Sequence, residues 1–129
     1  MTQRWKDWFA QAEHDLEQAV ASARDDRHDW ACFAAHQAGE KALKALHLRQ
    51  GREVWGHIIS RLLKELPDSP PPELVDRARI LDGYYVPARY PNGHVDGPAF
   101  EHFGSLHSLQ AVDHAREIIR FVRDAMAGS

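Results

Sequence analysis

"WACFAAHQAGEKALKALHLRQG", residues 30–51, is the stretch whose reading decides the fold. Alanines at 31, 34, 35, 38, 42 and 45 make it a narrow helix. Narrow helices let neighbours approach closely, so this one is expected at the centre of a bundle. Asp29 stands where an N-cap would, and Gly51 occupies a C′-like position that closes the helix. Glu40 and Lys44 are an i,i+4 pair, a small favourable term.

Working outward toward the N-terminus, Trp5, Trp8, Phe9, Ala12, Leu16, Ala19, Val20 and Ala23 recur in steps of three and four. That period predicts an amphipathic helix from Arg4 to about Arg24, broken by "RDDRHD" (24–29). Toward the C-terminus, "HIISRLLKEL" (57–66) reads as a shorter third helix stopped by "PDSPPP" (67–72). A fourth helix is expected from about Pro72 to Tyr85, since proline suits a first turn. A fifth runs from Pro98 or Ser105 to about Ala125. No segment alternates as a half-buried strand should, and there is no repeat or low-complexity tract. The expectation is a single all-α domain over residues 1–129, a bundle with short connections and antiparallel neighbours.

Composition narrows the function classes. The chain has 129 residues, enough to bury a core without metal or disulfide staples, and one cysteine, Cys32, which has no internal partner. A formal charge of −3 argues against coating nucleic acid by bulk attraction, though not against a local basic site. No apolar run approaches the roughly 20 residues that span a bilayer, and the charged start does not read as a secretion signal, so a cytoplasmic protein without membrane association is expected.

Nine histidines invite a search for metal sites, but His102, His107 and His114 lack the i,i+3 or i,i+4 ligand spacing, and no H-E-x-x-H or cysteine pair occurs. No metal and no cofactor is expected, and these histidines read as surface residues. Cys32 sits among Trp30, Phe33 and alanines as a buried, inert thiol. Arg116, Arg120 and Arg123 form a stripe that reads as a solvated helix face, with Asp113, Glu117 and Asp124 beside it.

One stretch, "VPARYPNGHVDG" (86–97), interrupts the helices and sets Arg89 five positions before His94. Metal-independent RNA cleavage needs a proton-transfer group near neutrality, which histidine supplies, and a cation for the phosphorane, which arginine supplies. Tyr84, Tyr85 and Tyr90 stand close in sequence for stacking on bases. The structural alternative pairs Arg89 with an inward carboxylate such as Glu40 and leaves His94 exposed after an Asn92-Gly93 turn.

The blocks "WFAQAEHDLEQA" (8–19), "WACFAAHQAGEKALKALHLRQG" (30–51), "HIISRLLKEL" (57–66) and "LDGYYVPARYPNG" (81–93), in this order and spacing, resemble the prokaryotic HEPN family. The resemblance implies an up-and-down bundle of about five helices that forms a homodimer. It implies a pairing with a minimal nucleotidyltransferase in a toxin–antitoxin-like module. It also implies an Arg-x(4–6)-His ribonuclease site shared between subunits, with Arg89 stabilising phosphate and His94 transferring the proton. Where active members carry Asn, Asp or His after the arginine, this chain has Tyr90, and Pro91 and Gly93 follow. The alternative function is a non-catalytic module that holds nucleotide, RNA or a protein partner in the groove near Lys41, Tyr85 and Arg89, with Lys41, Tyr85 and Tyr90 as the expected binding residues. A third, purely structural role would dock a partner on Trp5, Trp8 and Trp30.

Overall fold

A computed structural model describes residues 4–128. Its helices are α1 (Arg4–Arg24), α2 (His28–Arg49), α3 (Ile59–Lys64), α4 (Pro72–Asp82) and α5 (Ser105–Ala127). Short 3₁₀ turns occupy Pro91–Gly93 and Ala99–His102, and no strand occurs among the described residues. The all-α architecture expected from the hydrophobic period is therefore what the chain adopts.

Helix α2 is the centre, packed against each of the other four helices. Its alanines bring neighbours close on nearly every side, and 13 of its 22 residues are buried. One stripe stays partly open: Phe33, Gln37, Lys41, Lys44 and Leu48, spaced four, four, three and four apart. At Gly39 three helices converge. A Cβ there would meet Ile59 of α3 at 3.2 Å, with Leu81 of α4 and Ile118 of α5 each at 3.5 Å. Around that point Leu43, Leu46, Leu62, Leu63, Leu81 and Ile118 are almost wholly excluded from water. Each such side chain contributes roughly 1.5–3 kcal/mol of burial.

Three boundaries differ from the sequence reading. α2 begins at His28, with Arg27 rather than Asp29 in the capping position and no side-chain cap. The backbone closes that turn itself: Arg27 N–H reaches Ser22 O at 2.8 Å, and Asp26 takes a positive φ of 60°. α3 begins at Ile59, not His57, because its start is set from elsewhere in the chain. Asp82, at the end of α4, accepts Ile59 N–H at 2.5 Å, Ser60 N–H at 3.2 Å and the Ser60 hydroxyl at 2.6 Å. α4 ends at Asp82 instead of Tyr85, and the chain continues through successive turns. At the end of α2 the expectation holds. Gly51 (φ 84°) donates to Leu48 O and Arg52 to His47 O, which satisfies two carbonyls that a helix end would otherwise leave open.

No helix among the described residues is long and apolar enough to cross a membrane.

Candidate functional site

The turns after α4 place Arg89. Tyr84 N–H bonds to Leu81 O, Ala88 N–H to Tyr84 O and Arg89 N–H to Val86 O, and the Ala88 methyl is fully buried. The segment thereby lies across α2, with the guanidinium among three rings. Its carbon is 4.4 Å from the centre of Phe33, 4.7 Å from Tyr85 and 5.1 Å from Tyr90. Such contacts stabilise by about 0.5–2 kcal/mol and, more usefully, hold the cation's plane. Arg89 Nε–H donates to the Tyr85 carbonyl at 2.8 Å. Among the described residues no hydrogen bond or ion pair engages its two terminal nitrogens.

Phe33 also forms part of a groove of about 580 Å³ between α1 and α2, whose lining includes Asp15, Gln18, Trp30, Gln37 and Lys41. Lys41 points into this groove, but Asp15 holds its ammonium at 2.5 Å. Its charge is largely spent within the protein.

His94 lies in the same connector with different neighbours. Its Nε2–H donates to the Pro87 carbonyl at 2.6 Å, which leaves Nδ1 as the lone-pair nitrogen. The ring stacks on His102 at 4.0 Å, nearly parallel, with the edge of Phe103 at 5.7 Å. His94 is half-buried rather than exposed. The chain thus brings Arg89, Tyr85 and Tyr90 together and puts Lys41 in the adjoining groove. It turns His94 toward His102 and Phe103.

The suggested Arg89–Glu40 pair does not form. Glu40 is buried and binds Lys44 Nζ through Oε2 at 2.9 Å and His57 Nδ1 through Oε1 at 3.0 Å. The His57 ring stacks on Tyr85 at 4.5 Å. Sequence reasoning missed His57 and Phe33. The available signal was Glu40 itself, a carboxylate on an alanine-lined face that needs partners when buried.

Two histidines of α2 are neither surface residues nor ligands. His36 and His47 are fully buried. Each donates Nε2–H at 2.8 Å to a carbonyl near α3, His57 O and Leu62 O respectively. Each also receives a hydrogen bond at Nδ1, from Gln37 and from Arg52. Burial holds both pKa values below the ordinary histidine value, so both are neutral clamps. Cys32 is buried as expected, its thiol pushed up to about 12 by burial. Arg116, Arg120 and Arg123 are exposed; Glu117 holds Arg120, and Glu13 of α1 holds Arg123 at 2.8 Å. Among the described residues no group of three or more His, Cys, Asp or Glu is arranged to hold a metal ion.

A helical bundle built on a narrow central helix, with a cation laid across it by the turns after the fourth helix, defines a small all-α module. The chain belongs to the HEPN family: the HEPN domain model matches residues 5–125. Solved structures agree. A Thermus thermophilus protein is 46% identical, with a TM-score of 0.93 over 95% of this chain and 98% of that one. An archaeal HEPN homologue is 35% identical, with a TM-score of 0.84 over 96% and 98%. An HEPN domain protein from Thermotoga maritima is 32% identical, with a TM-score of 0.78 over 94% and 98%. No curated protein matches the chain.

Proposed function

We propose that this HEPN protein binds a phosphate-bearing ligand, RNA or a nucleotide, with Arg89 as the anion anchor. The supporting observation is the held guanidinium whose terminal nitrogens are unengaged among the described residues. Arginine's fork matches two phosphate oxygens, and half-exposed Tyr90 and Trp30 offer faces for a base. Lys41 is neutralised by Asp15, so few phosphates are gripped, which favours a nucleotide or a short single strand over a duplex.

A homodimer accords with the exposed apolar side chains gathered between residues 90 and 109: Tyr90, Val95, Phe100, Leu106 and Leu109. Family membership supports a minimal nucleotidyltransferase as protein partner in a toxin–antitoxin-like module. The ribonuclease reading with Arg89 and His94 draws support from the unengaged Nδ1 of His94. It requires a second copy, because within one chain the two side chains face different neighbours.

The test is fluorescence anisotropy with labelled single-stranded RNA and with labelled ATP, both in EDTA. Arg89→Ala should weaken binding at least about tenfold, and Arg89→Lys should not restore it, because a point charge lacks the fork. Equal affinity in wild type and Arg89→Ala would remove the anchor.

A further inference from the structure

Away from Arg89, the starts of α2 and α5 bring a serine, a histidine and an aspartate to one cavity. Ser108 Oγ lies 2.8 Å from His28 Nδ1, and His28 Nε2 lies 3.5 Å from Asp26 Oδ1. All three residues line a space of about 380 Å³ between α1 and α5, which shares no lining residue with the groove beside Phe33. We propose that this is an acyl-transfer centre that hydrolyses short apolar carboxylic esters. Ser108 is its nucleophile, His28 the general base and Asp26 a positioning carboxylate.

The contact has the polarity that activation of a hydroxyl needs. An ionised carboxylate only accepts hydrogen bonds, so Asp26 favours the His28 tautomer with its proton on Nε2. Nδ1 then carries the lone pair and takes the Ser108 hydroxyl proton at 2.8 Å, in preference to the Ser105 carbonyl at 3.2 Å. At 3.5 Å, and with its own side chain 91% exposed, Asp26 biases the ring more than it holds it. The left-handed turn at Asp26 that joins α1 to α2 is what sets this carboxylate beside the ring. Ser108 is buried, only 2% exposed, so it meets what enters the cavity rather than bulk water. Val20, Ala23 and Val112 give that cavity apolar walls, which suit an acyl chain. Ser105 and Leu106, in the first turn of α5, line it too. The leading N–H groups of a helix have no intrahelical acceptor, so this turn supplies donors for an oxyanion.

In the reaction, Ser108 Oγ attacks the ester carbonyl carbon while its proton passes to His28 Nδ1. The bond from that carbon to the alkoxy oxygen breaks, and His28 gives the departing oxygen its proton, which releases an alcohol. Water then attacks the acylated Ser108 and its proton goes to Nδ1. The bond from the acyl carbon to Oγ breaks, and the proton returns to Oγ. The products are one alcohol and one carboxylic acid, with serine and neutral imidazole restored.

The experiment uses the full chain with p-nitrophenyl butyrate, and in parallel a biotinylated fluorophosphonate whose attachment point is read by peptide mass spectrometry. Wild type should hydrolyse the ester and take the label on Ser108. Ser108→Ala should lose the label and at least about 100-fold of the rate, with unaltered circular dichroism. His28→Gln should hydrolyse about 100-fold more slowly and take the label on Ser108 correspondingly slowly, which a merely structural histidine would not show. Asp26→Asn, which tolerates the same left-handed turn, should slow hydrolysis only about fivefold. Exposed His14→Ala should change neither rate nor labelling. Wild type that takes no label on Ser108 overturns the proposal. So does Ser108→Ala that hydrolyses the ester at the wild-type rate, which would assign the reaction to surface imidazoles. Labelling of Ser108 at wild-type speed in His28→Gln would overturn the role of the base.

Discussion

Helix α2 and the connector from Gly83 to Gly104 carry the same unusual residues and use them in opposite ways. Each has histidines, and each has a glycine where another part of the chain comes close. In α2, His36 and His47 are engaged at both ring nitrogens and fully buried. In the connector, His94 and His102 each spend Nε2 on a backbone carbonyl, and among the described residues no hydrogen bond engages Nδ1 of either. A doubly engaged imidazole is a structural pin, whereas a singly engaged one near solvent keeps a nitrogen for chemistry. The number of histidines in a chain therefore says little; how many nitrogens each one spends says a great deal.

The largest expected effect separates the two glycines. Gly39→Val should destabilise by about 3 kcal/mol, because the added methyls meet Ile59, Leu81 and Ile118 where three helices converge. Gly39→Ala should come close to neutral, since the tight 3.2 Å contact falls on the flexible end of Ile59 and alanine's helix propensity offsets it by about 1 kcal/mol. In the connector, Gly93→Ala sets a Cβ 2.9 Å from the Pro87 Cα and should cost about 1 kcal/mol by shifting the turn. Urea denaturation of the three variants checks the order. A larger loss at Gly93 than in Gly39→Val would mean that the connector, not α2, is the rigid core.

Next in size are the clamps. His36→Ala and His47→Ala should each cost about 2 kcal/mol, the sum of a small cavity and a carbonyl left without its donor. They also set a pH dependence. Their folded pKa values lie below the ordinary value of 6.5, so as pH falls past 6.5 the unfolded chain takes up protons first. Stability is therefore complete above that pH and declines below it, by up to about 1.4 kcal/mol per pH unit for each histidine. His114, held down by burial and by Arg77, adds in the same direction. Melting curves between pH 7.5 and 5 should show the decline in wild type and a flatter profile in a His36→Gln, His47→Gln double variant. Equal slopes in both would assign the acid sensitivity elsewhere.

What is legible in the sequence follows from how local the cause is. α1 has the predicted bounds because its stripe from Trp5 to Ala23 needs no outside help. Gly51 closes α2 because a left-handed residue after a helix is a local requirement. The start of α3 is not legible because its cap is Asp82, 22 residues beyond Ser60 and on another helix. Of the candidate site, Arg89, Tyr85 and Tyr90 do share one cluster, but the ring that floors it, Phe33, comes from α2. The Glu40–His57 bond spans 17 residues, and nothing in either segment announces it. The spacing of His36 and His47, eleven residues or three helical turns, is a readable sign that both face one neighbour.

The smallest effect tests the contrast most sharply. His94→Ala removes a ring that is stacked on His102 and tied to Pro87 O, yet half-buried in a turn. The freed carbonyl sits at a surface connector where water can replace the lost donor, so the desolvation penalty that makes His47→Ala costly is absent. The expected loss of stability is about 0.5 kcal/mol, within reach of a careful denaturant titration. A loss as large as that of His47→Ala would show that the connector is clamped as firmly as the helix. In that case the open nitrogen of His94 would be a by-product of packing rather than a group held ready for a ligand.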